Sequence, residues 1–150
     1  MPELISGGGG SVTPSSLAGY EIHYKQITSS VVVSSTTEAS GTTIITCDPT
    51  TFDGGLVIAH FYCPYLVTAD PGLFISLFEG ATQITRFGVS SIPSGAGHGH
   101  ECSAFYRFTP TAGSHTYTVT GHRSTSNGTV TAGAGGTAAY PPAFIRFTKA

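Results

Sequence analysis

Charged side chains are scarce in this sequence. Lysine and arginine together number six among 150 residues, they are scattered along the chain, and the formal net charge is -2. No basic stripe is present to neutralise nucleic-acid phosphates. No segment approaches the ~20 consecutive apolar residues that a membrane-spanning helix needs. We therefore expect a protein that binds neither nucleic acid nor membrane.

Cysteine is also rare, and the three residues Cys47, Cys63 and Cys102 cannot all pair within one chain. Their spacing matches no zinc module. A free cysteine often behaves as a small core hydrophobe. The N-terminus has no basic region followed by an apolar run. These features predict buried, reduced thiols and assembly in a reducing cytosol.

Sustained helical periodicity is missing as well. The chain is rich in Ser, Thr and Gly, and short apolar runs recur between turn signals at the spacing of about 8 to 12 residues that is typical of sandwiches. The sequence predicts an all-β fold, an antiparallel β-sandwich of jelly-roll type with about nine or ten strands and no substantial helix. Because residues 1–18 contain four consecutive glycines, we divide the chain into a flexible N-terminal anchoring arm, residues 1–18, and a jelly-roll domain, residues 19–150.

The pattern of apolar residues along the strands suggests which of them are central. In the terminal run 143–148, Ala143, Ile145 and Phe147 share one face and Phe144 lies on the other, which favours a position inside a sheet. Residues 55–65 and 72–78 are apolar on both faces. Since a sandwich strand normally buries one face, we expect another copy of the chain to cover the second face.

The N-terminal part of the domain is predicted to contain a first strand followed by two short β-branched strands. The first strand, within residues 19–28, places Tyr20, Ile22 and Tyr24 on one face and Glu21, His23 and Lys25 on the other, wet face. The β-branched runs 30–35 and 42–47 are most simply a hairpin or a paired edge. Turn chemistry follows at Asp48-Pro49 and Asp53-Gly54.

Candidate chemical sites are weak. His98 and His100 flank a glycine in a flexible loop and could present two imidazoles to a metal, but a loop whose polar residues merely face water is the simpler explanation. The acidic residues fall mainly at turns or on polar faces, and Gly113-Ser114-His115 lacks the setting of a nucleophile elbow. We expect no enzyme activity and no cofactor. Four tyrosines could stack on sugars if they were exposed, but they alternate along the sequence as core residues do. They are Tyr62, Tyr65, Tyr106 and Tyr140.

Several motifs resemble those of small virion proteins of tailed bacteriophages, especially phages of actinobacteria. They span nearly the whole chain and are structural: ELIS, Gln26-Ile27-Thr28-Ser29, TTEASGTTIIT, TFDGG, LFISLFEGAT, TPTAGSHTYTV, GTVTAGAGG and PPAFIRFTK. More distantly, AFIRFTK and HTYTV resemble the last strands of trimeric jelly rolls of the complement and tumour-necrosis-factor type. In that fold the terminal strand lies mid-sheet, and the outer face of its sheet packs around a threefold axis.

The resemblance implies a non-enzymatic phage virion protein that assembles in the host cytoplasm. The expected role is head decoration on the capsid surface as a homotrimer, anchored by the arm to the major capsid protein or another virion protein. The alternative is a tail-associated or receptor-binding protein that contacts a host-surface glycan. The candidate anchoring residues are Leu4, Ile5, Val12 and Leu17, and the candidate subunit-interface residues are Phe144, Phe61, Phe74 and Phe78.

Overall fold

The computed structural model describes residues 17–68, 72–90 and 99–150, which form twelve β-strands and contain no helix. No helix long and apolar enough to cross a membrane occurs in these ranges. The strands are β1 (Glu21–Ile27), β2 (Val31–Val33), β3 (Thr42–Thr46), β4 (Thr50–Asp53), β5 (Val57–Thr68), β6 (Leu73–Glu79), β7 (Thr82–Ser90), β8 (Gly99–Phe108), β9 (Ala112–His115), β10 (Tyr117–Arg123), β11 (Gly128–Thr131) and β12 (Ala143–Lys149).

The strands form two main antiparallel sheets and one short ribbon. In the first sheet, β1, β12 and β5 are neighbours, β8 pairs with β5, and β11 joins β5 to β2. The second sheet has the order β3-β10-β6-β7, and β4 pairs with β9. From β5 onward the chain crosses repeatedly between the two sheets, and the last strand pairs with the first, as in a jelly roll. The predicted all-β jelly roll is confirmed, with twelve strands instead of nine or ten.

Strands β4 and β9 are the two that the sequence did not reveal. Each has four residues, and turn signals dominate both segments. The predicted turn at Asp53-Gly54 is present, because Gly54 has a φ of 84° and the Gly55 amide donates to the Asp53 carboxylate at 3.0 Å. Only glycine adopts such a φ without strain. The short ribbon is therefore a turn-flanked addition to the main sheets.

An aromatic cluster between the two sheets forms the centre of the core. Phe147 lies 5.2 Å from Tyr117, 5.8 Å from Phe52 and 6.3 Å from Phe108, measured between ring centroids. Several of these rings meet nearly edge to face, which is a favourable arrangement for aromatic pairs. The cluster joins β12 of the first sheet to β10 of the second and to the short ribbon. It therefore holds all three sheets together.

The C-terminal strand β12 lies inside the first sheet, between β1 and β5. Ala143, Ile145 and Phe147 point into the core and are fully buried, whereas Phe144 and Arg146 point to the outer face and are partly exposed. This is the arrangement that the alternating sequence predicted. The terminal strand thus supplies both core residues and an outer surface.

The predicted hairpin between residues 30–35 and 42–47 is wrong, because its two strands lie in different sheets. Strand β2 pairs with β11 in the first sheet, and β3 pairs with β10 in the second. Both runs are β-branched on their own, so each is a strand, but local sequence did not specify the partner.

The faces predicted for the first strand hold for Glu21 and Ile22, which are exposed and packed on the core respectively, and are wrong from His23 onward. The β1–β12 register shifts between Glu21 and His23, and an irregularity of this kind reverses the faces that follow. His23 consequently pairs with the core residue Phe147, whereas Tyr24 lies on the outer face against Phe144. The solvent-facing side of β1 is therefore the side that carries Tyr24.

The second face of β6 is covered by this chain itself. The loop between β2 and β3 lies over the second sheet, where Ser76 donates to the Glu38 carboxylate at 2.8 Å. Beside it, Phe78 is only 7% exposed and borders a pocket together with Ala39 and Gly41. The apolar second face of residues 72–78 thus requires no neighbouring copy.

Candidate functional site

The outer face of the first sheet carries a group of aromatic rings that are exposed or half-buried. Strand register explains the grouping, since residues directly opposite each other in antiparallel strands share a face. Phe144 lies opposite Tyr62, and His60 lies opposite Phe105. We call this surface the aromatic face, and its ring residues are Tyr24, His60, Tyr62, Phe105 and Phe144.

Phe144 is the centre of the aromatic face. Its ring centroid lies 5.3 Å from Tyr24, 5.2 Å from His60 and 5.2 Å from Tyr62. The three neighbours come from the two strands that flank β12. These rings pack on one another in a continuous cluster across three strands, in which His60 meets Phe144 nearly edge to face. We call this cluster the platform of the aromatic face.

Phe105 extends the platform onto β8 and is its most exposed ring. The side chain is 64% exposed, and the ring stacks on His60 at 4.0 Å with an interplanar angle of 15°. His60 also bonds through Nε2 to the Ser103 hydroxyl at 3.0 Å. A large apolar ring held in one orientation but open to solvent is the kind of residue that anchors protein interfaces.

Arg146 places a positive charge within the aromatic face. Burial and the nearby Arg146 charge lower the pKa of His60, so His60 is neutral at pH 7. Arg146 Nε and His60 Nδ1 are both buried, and neither has a hydrogen-bond partner within the described ranges. An unpaired buried polar group is costly, so these two atoms reduce the local stability of the aromatic face.

Charges of both signs border the aromatic face. Arg107 lies opposite Ile58 and shares its outer side with Phe105. Glu101 is exposed on the same strand, close enough to Tyr62 to help raise the pKa of that phenol. A surface with both signs can complement a rotated copy of itself.

The opposite outer face, on the second sheet, is organised around Glu38. Its carboxylate accepts from Gln83 Nε2 at 2.7 Å and from Arg86 Nε at 3.0 Å, and Arg86 holds the pKa of Glu38 down to about 2. The guanidinium also lies 4.9 Å above the Phe74 ring, which stacks on His122 at 4.5 Å. These groups satisfy one another, so this face is a closed polar network.

Two shallow pockets of about 160 and 170 Å³ offer no acid-base pair. One contains Asp53, which is paired with Lys149, and the other contains Glu38, which is paired with Arg86. The cationic partner lowers the pKa of each carboxyl group, whereas a general acid needs a raised one. Neither pocket therefore supplies the two carboxylates that a glycosidase mechanism requires.

His115, in the sequence triplet Gly113-Ser114-His115, has a structural partner. Its Nδ1 lies 2.5 Å from the Glu79 carboxylate, and its Nε2 lies 2.9 Å from the Thr111 carbonyl. The bond to Glu79 raises the pKa of His115. The bond between His115 and Glu79 therefore joins β9 to the end of β6.

We predict that this ion pair makes stability depend on pH. Because the folded-state pKa is raised above the ordinary 6.5, the stabilisation is complete below pH 6.5 and is lost as pH rises through the folded value. Thermal unfolding of the wild type and His115→Gln should therefore differ most at pH 5.5 and least at pH 9. A difference that stays constant or grows with pH would contradict the ion-pair assignment.

The metal and anchoring predictions fall largely outside the described residues. His98, Leu4, Ile5 and Val12 are in that group. His100 is exposed on β8, and Leu17 is 52% exposed in the turn before β1. Over residues 17–68, 72–90 and 99–150, no group of three or more His, Cys, Asp or Glu side chains could hold a metal ion. The anchoring residues stay a prediction.

The four predicted interface residues do not share a surface. Phe61 is 0% exposed inside the core and Phe78 is almost completely covered, so both are wrong because neither can offer contact area to another copy. Phe74 lies on the second sheet, on the side of the sandwich opposite Phe144. Phe144 alone belongs to the aromatic face and stays a candidate.

Of the four tyrosines considered for sugar stacking, only Tyr62 lies on the aromatic face. Tyr65 stacks on Tyr140 at 5.6 Å, and Tyr106 stacks on Phe108 at 6.1 Å. The burial expected for Tyr106 and Tyr140 is wrong, because they are 37% and 47% exposed. Sequence reasoning missed Phe105. The sequence feature that could have identified Phe105 is its position as a single phenylalanine between Ser103 and Arg107, on the otherwise polar face of β8.

Comparison with known proteins gives only remote similarities. No family model and no curated protein matches the sequence. A carbohydrate-binding module from Cellvibrio mixtus lichenase 5A in complex with cellotriose is similar at 14% identity and a TM-score of 0.39, over 89% of this chain and 95% of the module. A structure of the infectious bursal disease virus Gt strain is similar at 13% identity and a TM-score of 0.27, over 99% of this chain and 40% of the other. Both TM-scores are below 0.5, so we infer neither fold nor function from them.

Proposed function

We propose that this protein is a non-enzymatic structural component of a phage virion, a head-decoration or capsid-surface protein whose copies associate as a homotrimer. The aromatic face is the proposed contact between copies, and residues 1–18 are the proposed anchor to the major capsid protein. The sequence motifs of phage virion proteins support the virion part of the proposal. The aromatic face, with its exposed Phe105 and Tyr24 rings, supports the assembly part.

The dimensions of the aromatic face favour a protein partner. Four strands spaced ~4.8 Å apart, and a seven-residue β12 with ~3.4 Å per residue, give a surface of roughly 19 by 24 Å. Apolar patches of roughly this area on soluble proteins often mark interaction sites. A threefold arrangement would cover most of it and exclude water from Phe105 and Tyr24.

Charge complementarity favours a second copy of this chain as the occupant. In a cyclic trimer each subunit presents one part of its face to a different part of its neighbour's face. Arg107, which is exposed, and Arg146, which is partly exposed, can then meet the Glu101 carboxylate of the next copy. A partner with no acidic group would leave these two cations without a counter-charge.

Truncation of the arm tests the proposed anchor. We expect a chain that lacks residues 2–18 to fold and associate normally but to be absent from purified particles of a phage whose own copy of the gene is deleted. The full-length chain, supplied in the same way, serves as the control. Incorporation of the truncated chain at the full-length level would overturn the anchoring role.

The alternative function is binding of a host-surface glycan by a tail-associated protein. Exposed rings such as Tyr24 and Phe105 beside the polar groups of Gln26 and Arg146 favour it, because sugars stack on aromatic rings. The two functions compete for one surface, since a face buried between copies cannot bind a glycan. A protein that is monomeric and binds a glycan array through Phe105 would favour this alternative.

A further inference from the structure

Two of the three cysteines lie directly opposite each other on adjacent strands. Cys63 of β5 pairs with Cys102 of β8, and both side chains point to the core side of the first sheet. Cα atoms of directly opposed residues in antiparallel strands lie ~4.5 to 5.5 Å apart, within the range of about 4.4 to 6.8 Å that a disulfide spans. We propose that Cys63 and Cys102 are the site of a reversible cross-strand disulfide that forms when the protein meets a disulfide oxidant.

Both thiols are free in this structure, and their surroundings explain how the reduced form persists. Cys63 is completely buried, and its Sγ donates to the Thr131 carbonyl at 3.6 Å. Burial raises the pKa of Cys63 to about 11 and also raises the pKa of Cys102. Since the thiolate is the reactive form, oxidation at neutral pH is slow.

Cys102 is the point of entry because it is only partly buried. Its strand β8 pairs only with β5 within the described ranges, so one edge of the strand is open to solvent. Local opening of an edge strand costs less than global unfolding. A small oxidant can therefore reach Cys102 before it can reach Cys63.

The reaction balances with oxidised glutathione as the oxidant. The Cys102 thiolate attacks one sulfur of glutathione disulfide, which forms a mixed disulfide and releases one glutathione. Cys63 turns from the Thr131 carbonyl, loses its proton and attacks Cys102 Sγ, which releases the second glutathione. The protein loses two protons and two electrons, and glutathione disulfide gains them to become two glutathione thiols.

The bond would fix β8 to β5 beside the aromatic face. It closes a loop of about 40 residues and restricts the unfolded chain more than the folded one. We expect the oxidised protein to melt roughly 5 to 10 °C above the reduced protein, and dithiothreitol to reverse the change. The strand that carries Phe105 would then be covalently attached to the strand that carries His60 and Tyr62.

The test incubates the folded full-length chain with glutathione disulfide at pH 7, 8 and 9 and counts thiols after denaturation. We expect the count to fall from three to one, and the rate to rise by about tenfold per pH unit as the thiolate fraction grows. Peptide mapping should show one link, between Cys63 and Cys102. Cys47→Ala is the matched control, because that distant buried thiol should not affect the reaction.

The cysteine variants distinguish the proposed Cys63–Cys102 bond from other oxidation of the thiols. Cys102→Ala should retain both remaining thiols, which would confirm that the bond requires Cys102. If the folded wild type retains three thiols at pH 9, or if the mapped link includes Cys47, the proposal is overturned. Circular dichroism of each variant before oxidation establishes that it is folded, and Cys102→Ser replaces Cys102→Ala if the latter is not.

Discussion

Phe105→Glu is expected to dissociate the trimer while leaving the subunit folded. The ring is mostly exposed in the single chain, so its loss removes little core packing. In the assembly it would be buried, and the new carboxylate would be desolvated at each contact. Removal of a central aromatic anchor typically costs at least about 2 kcal/mol, so we expect the dissociation constant to rise at least about 30-fold. Sedimentation velocity over a concentration series measures this change.

Phe74→Glu is the matched control for that experiment. Phe74 also stacks on a histidine from a neighbouring strand, His122, but on the opposite face of the sandwich. It should leave the oligomeric state unchanged. If Phe74→Glu dissociates the protein and Phe105→Glu does not, the contact between copies lies on the second sheet and the aromatic face has another role.

Phe147→Ala is expected to cause the largest loss of stability. The side chain is fully buried and touches Phe52, Tyr117 and Phe108, so it joins all three sheets. Truncation of a buried phenylalanine to alanine costs about 3 to 5 kcal/mol, because transfer free energy is lost and a cavity remains. Most domains have about 5 to 15 kcal/mol of stability, so the variant should be close to unfolding at 37 °C.

Urea unfolding in a Phe105→Glu background measures that loss without a contribution from assembly. Phe147→Leu serves as the control, since it retains most of the apolar volume and should cost less than about 1.5 kcal/mol. A loss below about 1 kcal/mol for Phe147→Ala would contradict the central position of the aromatic cluster.

Alternation along the strands was sufficient to predict the architecture and the two faces of β12. Ala143, Ile145 and Phe147 are buried as expected, because side chains of a regular strand alternate between faces. The same reasoning was wrong for β1, because the irregularity between Glu21 and His23 reverses the later faces. A single-residue shift of this kind has no clear signal in local sequence.

Which group covers an apolar face could not be predicted from the strand that carries it. Phe78 was assigned to a contact between copies, but the loop containing Glu38 covers it from within the same chain. That loop is distant in sequence and polar. Hairpin pairing of β2 and β3 was wrong for a similar reason, since both strands find their partners in distant segments.

The aromatic face could be predicted only in part. Phe144 was found because it interrupts the polar side of an otherwise regular strand. Tyr24 was assigned to the wrong face, and Phe105 and His60 lie together only because the β5–β8 register places them opposite each other. Register between distant strands depends on the whole fold.

Sedimentation equilibrium of the full-length chain at micromolar concentration tests the central claim most directly. The account predicts a mass three times that of the 15.4 kDa chain, which falls to the single-chain mass in Phe105→Glu. A wild-type protein that remains at 15.4 kDa across the micromolar range would contradict assembly through the aromatic face.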